Sequence, residues 1–287
     1  MTQHPNGSAS KNHVRRNETI AQEGEISLSQ LAAQVYAKVA EFLEAKTLRF
    51  DDNYSEEDST KMLQATQQQT VQTIRILEDA LDRYSLEELS LSYNGGKDCL
   101  VLLILYLCAL HSHSEKTKKP LPDRLRSVYI VSPHPFKEVE EFVTSTAATY
   151  HLDLVRYEKP MREAFEEYLA DDKAIKAILV GTRRTDPHGG ELQWFDPTDH
   201  GWPDFMRVHP VIEWTYSEVW AFLRHLQIPY CVLYDEGYTS LGGTTDTHKN
   251  PALRWTHRDC DPPRWRPAYR LPRDEEERLG RERSTRT

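Results

Sequence analysis

Leu89-Ser-Leu-Ser-Tyr-Asn-Gly-Gly-Lys-Asp-Cys99, followed by the apolar run Leu100–Leu110, reads as a short buried strand, a glycine turn and a helix. The adjacent glycines Gly95 and Gly96 tolerate positive φ and leave backbone N–H groups uncovered. A helix that starts directly afterwards points its free N–H groups and the positive end of its dipole at the turn. Such a turn is a seat for phosphate, although a tight turn without a ligand has the same outline. Lys97 adds a mobile positive charge, and Asp98 a carboxylate able to hold Mg²⁺. Two common phosphate fingerprints do not fit. The Walker pattern requires Ser or Thr after Gly-Lys, where Asp98 stands, and the dinucleotide pattern requires a third glycine.

Outward from this turn, strands alternate with helices. Apolar patterning predicts strands over Leu89–Ser92, Ser127–Ser132, Leu152–Arg156, Ala177–Val180 and Val208–Ile212. Between them it predicts helices over Leu100–His111, Lys137–Tyr150 and Met161–Leu169, with a further helix over Thr215–Leu226. This alternation predicts an α/β fold, a mostly parallel sheet covered on both faces, with ligands at the carboxyl ends of its strands. Three candidate segments lie at such ends: Tyr93–Asp98, Ser132–Phe136 and Gly181–Asp186.

The flanks differ. Residues 1–24 are polar and are expected to be disordered. Leu28, Leu31, Val35, Val39, Phe42 and Leu43 recur at helical spacing, and a second helix is expected over Thr60–Arg83. The acidic stretch Thr47–Ser59 reads as a linker between them. Residues 25–85 are thus a helical extension, 86–228 the α/β domain and 229–287 an irregular C-terminal subdomain rich in Gly and Pro.

The chain carries a net charge of −9, which speaks against broad nucleic-acid binding and requires a local basic cluster wherever an anion binds. No run of eighteen apolar residues occurs, so no membrane span is expected. The N-terminus has neither an apolar secretory core nor an amphipathic presequence, which makes the cytosol the expected location. The four cysteines show no C-x-x-C spacing, which disfavours disulfides and structural zinc.

Four further segments carry chemistry-bearing residues. Val180-Gly-Thr-Arg-Arg-Thr-Asp-Pro-His188 ends a strand with Gly181, offers Arg183 or Arg184 to fork onto phosphate, and places Asp186 as a second metal or substrate acid. Thr198–Pro210 combines Trp202 and Phe205 with Asp199 and Arg207, a mix suited to a planar heteroaromatic ligand. Leu233–Gly243 contains Tyr238. Glu277-Arg-Leu-Gly-Arg281 sets Arg278 and Arg281 on one helical face, although the eight arginines of Arg264–Arg286 also fit a solvated tail.

The turn resembles the PP-loop of ATP pyrophosphatases. The ordered set of Ser92–Cys99, Gly181–Pro187, Asp199 with Trp202–Arg207, Tyr238–Gly243 and Glu277–Arg281 is similar to the eukaryotic, fungal-type FAD synthases, in the PAPS-reductase-like branch of that superfamily. The resemblance implies a Rossmann-like α/β/α sandwich and a Mg²⁺-dependent transfer of AMP from ATP to FMN, giving FAD and pyrophosphate. It implies that Asn94, Gly95, Gly96, Lys97 and Asp98 form the ATP phosphate loop, with Ser92, Tyr93, Gly181, Arg183 and Arg184 as further binding residues. Asp186 matches the family's essential acid, and Asp98 and Asp186 would hold the metal. Asp199, Trp202 and Arg207 match the family's flavin-side motif, Tyr238 is a further binding residue, and Arg278 and Arg281 match a catalytic pair. Lys97, Arg184, Arg278 and Arg281 would supply the basic pocket. A monomer that passes FAD to flavin-dependent apoenzymes is expected. Cys99 stands where the wider superfamily has Ser, as is usual in this family, and Ser132–Phe136 is poor in acids. Alternatives are a PAPS or APS reductase, a tRNA-modifying ATP pyrophosphatase and a non-catalytic flavin-binding module. Cys260, flanked by Asp259 and Asp261, is poorly suited to the nucleophilic role a reductase needs.

Overall fold

The strand that leads into the glycine turn sits near the middle of a six-stranded sheet of order β3-β2-β1-β4-β6-β5. The computed structural model describes residues 26–50, 55–255 and 264–282; the expected disordered segment 1–24 and Cys260 lie outside them. β1 (Leu89–Ser92) pairs in parallel with β2 (Leu125–Ile130) on one side and with β4 (Ala177–Leu179) on the other. β3 (Leu152–Tyr157) and β6 (Met206–Val208) extend the parallel sheet in either direction, and β5 (Phe195–Pro197) closes one edge antiparallel. The chain first winds from β1 to β3 and then returns to the other side of β1. The strand order therefore reverses between β1 and β4, where open α/β sheets form their ligand crevice.

The sheet is covered unequally. α3 (Lys97–Thr117) follows the glycine turn, and every residue from Cys99 to Leu110 is buried. By length and hydropathy it is the one described helix apolar enough to cross a membrane; its burial in this fold accounts for that composition. It packs against α1 (Leu28–Glu44), α2 (Glu56–Arg83) and α6 (Tyr216–His225). α4 (Lys137–Thr149) joins the same large core through Val139 and Val143. α5 (Met161–Asp171) covers the opposite face, where Ala164, Phe165 and Tyr168 pack with Val128, Ile178 and Phe205.

Local signals explain where the observed bounds depart from the expected ones. Ser55 caps α2 by accepting from Asp58 N–H, and Glu56, Glu57 and Asp58 complement the helix dipole. The acids read as the end of a linker are thus the first turn of the helix. α3 starts at Lys97 rather than Leu100, with Asp98 in its first turn, and is closed after Thr117 by Lys118 in the left-handed conformation with φ 56°. β5 lies between the expected strands Ala177–Val180 and Val208–Ile212, and β6 overlaps the second of these only at Val208. Val211 and Ile212 are buried beyond the strand end, so their apolar character reflects core packing rather than a ladder. After α6 the described chain holds short 3₁₀ turns and isolated β-bridges, tied back by Tyr216 Oη donating to Ala268 O at 2.8 Å.

One buried relay joins α2 to the sheet domain. Trp214 Nε1 donates to Thr73 Oγ1 at 2.8 Å, and Thr73 Oγ1 donates to Pro210 O at 2.9 Å. Replacing Thr73 by Val leaves a buried indole N–H and a carbonyl unpaired. The expected loss is about 2 kcal/mol of unfolding free energy, read from urea denaturation; an unchanged midpoint would show that the relay holds nothing.

Candidate active site

The carboxyl ends of β1, β4 and β6 and the end of the described chain surround a cavity of about 610 Å³. That size suits a small-molecule ligand. Its apolar wall includes Ile130, Met161, Phe165, Val180 and Leu192. Ser92, Tyr93, Asn94, Gly96, Lys97, Asp98, Gly181, Asp186, Asp199, Trp202, Arg207, Arg278 and Arg281, all singled out from the sequence, line it too.

Gly95, Arg183, Arg184 and Tyr238 do not line it. Gly95 serves the turn: its φ is +72°, and a Cβ there would lie 2.7 Å from Val143 Cγ2. Asn94 Oδ1 accepts from Gly96 N–H at 2.9 Å, and Tyr234 Oη accepts from Lys97 N–H at 3.0 Å. Tyr234, missed in the sequence, thus caps the head of α3. Tyr93 is a core side chain whose hydroxyl donates to Thr146 Oγ1 at 2.9 Å. Burial pushes the Cys99 thiol up to about 12, so it stays protonated and packs against Gly181.

Lys97 is not mobile. It is 2% exposed, and its ammonium donates to Glu277 Oε1 at 2.5 Å and to Asp98 Oδ2 at 3.2 Å. Arg183 lies behind it, fully buried, with Nη2 on Glu277 and Nε 2.8 Å from Asp98 Oδ1. Arg184, the other arginine of the pair, turns outward: its Nε is 3.0 Å from Glu213 Oε2, and Nη1 donates to the carbonyls of Gly190 and Leu192. It staples a loop and cannot belong to the basic pocket expected of it. Glu277, which opens the Glu277–Arg281 segment singled out from the sequence but has no role of its own in that reading, is the acid on which Lys97 and Arg183 both rest. Its place five residues before the end of the described chain carries no local signal for that contact.

Burial opposes ionisation of Asp98, but Arg183 and Lys97 outweigh it and hold the carboxyl below the usual carboxylate range. Asp186 is shifted the other way, first by burial and then by the charge of Asp98. Its Oδ2 accepts from Arg183 N–H at 2.9 Å, and Arg278 Nη1 lies 3.7 Å from Oδ1. Elsewhere in the lining Asp199 receives Arg207 at 3.3 Å and 3.4 Å. Trp202 is 39% exposed and so presents its ring, whereas Phe205 is buried against Phe165. Tyr238 packs on Phe136 with Lys249 over its ring and is not part of the cavity lining.

The charged lining balances. Lys97, Arg207, Arg278 and Arg281 face Asp98, Asp186, Asp199 and Glu277. The cavity therefore holds fixed donors and acceptors for polar groups but no surplus of positive charge.

A reversing parallel sheet, with a glycine turn after its central strand and an acid after the next, makes this a nucleotide-binding α/β domain with a second, aromatic subsite. The sequence profile of the phosphoadenosine phosphosulfate reductase domain matches residues 88–174 and 158–249. A probable FAD synthase of Schizosaccharomyces pombe is 42% identical over 73% of this chain and 77% of its own. The flavin adenine dinucleotide synthase of Saccharomyces cerevisiae is 34% identical over 71% and 73%. The crystal structure of Candida glabrata FMN adenylyltransferase with FAD and inorganic pyrophosphate superposes with a TM-score of 0.81 at 28% identity, covering 92% of this chain and 100% of that one. The chain belongs to the FAD synthase family.

His209 is a further cavity residue that the sequence reading passed over. Neither ring nitrogen has a hydrogen-bond partner, and burial followed by the charge of Arg207 lowers the imidazole to about 4. The unfolded chain takes up this proton near pH 6.5 and the folded chain does not. Stability is therefore lost as pH falls from about 6.5 to about 4, by up to about 3 kcal/mol from this residue. Thermal melts of His209→Leu should decline less steeply across that window than those of the wild type; parallel profiles would remove His209 as the cause.

Proposed function

We propose that the protein is an FMN adenylyltransferase that carries out its reaction in this cavity, transferring AMP from ATP to FMN with release of pyrophosphate. The observation that carries the reading is the convergence on one cavity of the PP-loop, Asp186, the Asp199–Trp202–Arg207 group and the two C-terminal arginines. The triphosphate belongs at the glycine turn and the head of α3, and the isoalloxazine ring beside Trp202 and the apolar wall. The phosphate of FMN then reaches the α-phosphorus from the Arg207 side.

FMN phosphate is largely dianionic at pH 7, so it attacks without a general base. One of its oxygens forms the new bond to the α-phosphorus, the bond to the bridging oxygen breaks, and that oxygen leaves with pyrophosphate. No proton has to move. The task of the protein is to align two anions and to stabilise charge on the leaving group. Arg278 and Arg281 serve the phosphates from the C-terminal side. Lys97 and Arg183 act mainly by holding Asp98 and Glu277 in place, because their charges are met within the cluster.

The balanced lining supports a cation as part of the active complex. Two anionic substrates enter a cavity whose own charges cancel, and the added positive charge has to arrive with them. Asp98 and Asp186 offer hard oxygen donors there, and no group of three or more metal-ligating side chains occurs among the described residues. Two carboxylates plus substrate phosphates suit Mg²⁺. When bound, the ion neutralises phosphate oxygens. A monomeric state, a cytosolic location and delivery of FAD to apoenzymes accompany this reading as further proposals.

Incubating the protein with ATP, MgCl₂ and FMN should produce FAD and pyrophosphate in equal amounts. Binding of FMN without pyrophosphate release would reduce it to a flavin-binding module. Asp186→Ala should lower kcat at least about 100-fold with the fold retained. Arg184→Ala, which touches only Glu213 and loop carbonyls, should keep turnover within about threefold. The reverse order of effects, measured from FAD fluorescence, would overturn the assignment of the two residues.

A further inference from the structure

The stretch Tyr238-Thr-Ser-Leu-Gly-Gly243 has no part in the reaction as described, since only Ser240 and Leu241 of it line the cavity. Its first glycine nevertheless answers a specific demand. Gly242 does not have positive φ, so backbone freedom does not require glycine there. Space does. A Cβ on Gly242 would lie 2.4 Å from Arg281 Nη2, 2.5 Å from Cζ and 2.6 Å from Nη1. The near-equality of these distances lays the guanidinium face over this stretch of backbone.

The turn also supplies the anion that holds the guanidinium. Arg281 Nη2 donates to Asp246 Oδ2 at 2.9 Å. Asp246 Oδ1 is itself fixed by Gly243 N–H and by the Thr247 hydroxyl, each at 3.0 Å. Thr247 and Arg281 pair as an antiparallel bridge, and Glu282 N–H donates to Asp246 O at 3.0 Å, so the main chains are registered as well. Behind the turn, Thr244 N–H donates to His134 O at 2.7 Å, and a Cβ on Gly243 would meet Ser132 Oγ at 2.7 Å. The Ser132–Phe136 segment thus braces the turn. Arg278 is held far less: its side chain is 39% exposed and 3.7 Å from its nearest acid, whereas that of Arg281 is 17% exposed.

We propose that the turn Leu241–Thr247 is the seat of Arg281, with Gly242 providing the space for its guanidinium and Asp246 the carboxylate that orients it toward the cavity. Gly242 and Asp246 are positioning residues, and the proposal rests on the catalytic reading of Arg281. An alanine at 242 pushes against the far end of a flexible side chain, so the fold survives while the guanidinium is displaced.

The test compares Gly242→Ala, Asp246→Asn, Arg281→Ala and the double variant Gly242→Ala/Arg281→Ala in FAD formation, with thermal melting as the check on folding. Gly190→Ala is the control, because nothing lies within 4 Å of a Cβ there. Gly242→Ala is expected to lower kcat about 100-fold, the size of effect that a displaced catalytic group produces. KM for FMN should stay within about threefold, because neither Gly242 nor Asp246 belongs to the Asp199–Trp202–Arg207 group proposed to hold the flavin. The double variant should be no slower than Arg281→Ala alone, since both changes remove the same group. Wild-type turnover in both Gly242→Ala and Asp246→Asn beside a slow Arg281→Ala would overturn the seat and leave the function intact. Losses that multiply in the double variant would also overturn it. A near-normal Arg281→Ala would overturn the catalytic role of Arg281 and the seat with it. Should Gly242→Ala melt early, Asp246→Asn, whose carboxylate is half exposed, carries the comparison with Arg281→Ala.

Discussion

Lys97, Arg183, Asp98 and Glu277 form a closed set of two cations and two anions in the wall of the cavity, with Arg183 buried behind the lining, and the geometry of the site depends on it. Buried charges are tolerated only when each is met by an opposite charge in good geometry, and removing one member strands the others at a cost of roughly 3–5 kcal/mol. Here the members come from the head of α3, the loop after β4 and the end of the described chain. Lys97 and Glu277 are 180 residues apart in sequence. The cluster therefore does for the C-terminal segment what a helix or strand would otherwise do: it fixes the backbone that carries Arg278 and Arg281 at a set distance from the glycine turn.

That arrangement explains how an irregular tail can serve a reaction that tolerates little misplacement. Apolar residues such as Leu233, Tyr234 and Ala268 anchor the chain after α6 to the core, but its last described turn is bound mainly by polar contacts. Thr239 Oγ1 donates to Glu277 O, and Asn250 Nδ2 donates to Glu276 O at 2.8 Å. Such contacts are rigid where they are buried and mutually satisfied. They also prepay the orientation of charge, which is where a phosphoryl-transfer site gains most of its advantage. Within the cluster charges cancel, so the cavity presents orientation rather than net attraction. The neutral lining leaves the balance of charge to whatever enters with the phosphates.

Much of the scaffold was legible because its periodicities are strong. The alternation of short apolar runs with amphipathic stretches marked the parallel sheet, and the uninterrupted apolar face of Leu100–Leu110 marked the buried α3. The edge strand β5 escaped because Phe195-Asp-Pro197 carries a proline and an acid, residues an edge tolerates but a pattern search rejects. The start of α2 was misplaced because a run of acids looks the same in a linker and in a first helical turn. Ser55, three residues before Asp58, was the available signal. Arg183 and Arg184 differ in nothing local. One meets Glu277 across the fold and the other meets Glu213, and neither partner can be inferred from the neighbouring residues.

From the sequence by itself came the glycine turn, the parallel sheet and the identities of the acids and arginines at the strand ends. These are consequences of short-range rules: backbone freedom at glycine, periodic burial and the chemistry of individual side chains. Tertiary structure alone decided which charges are spent on one another and which face the cavity. It buried Lys97, turned Arg184 outward, left Tyr238 out of the cavity lining, and brought Glu277, Tyr234 and Gly242 to the site. The reason is physical: a charge takes its partner from whatever the fold brings within a few ångströms, and in this chain those partners are up to 180 residues away.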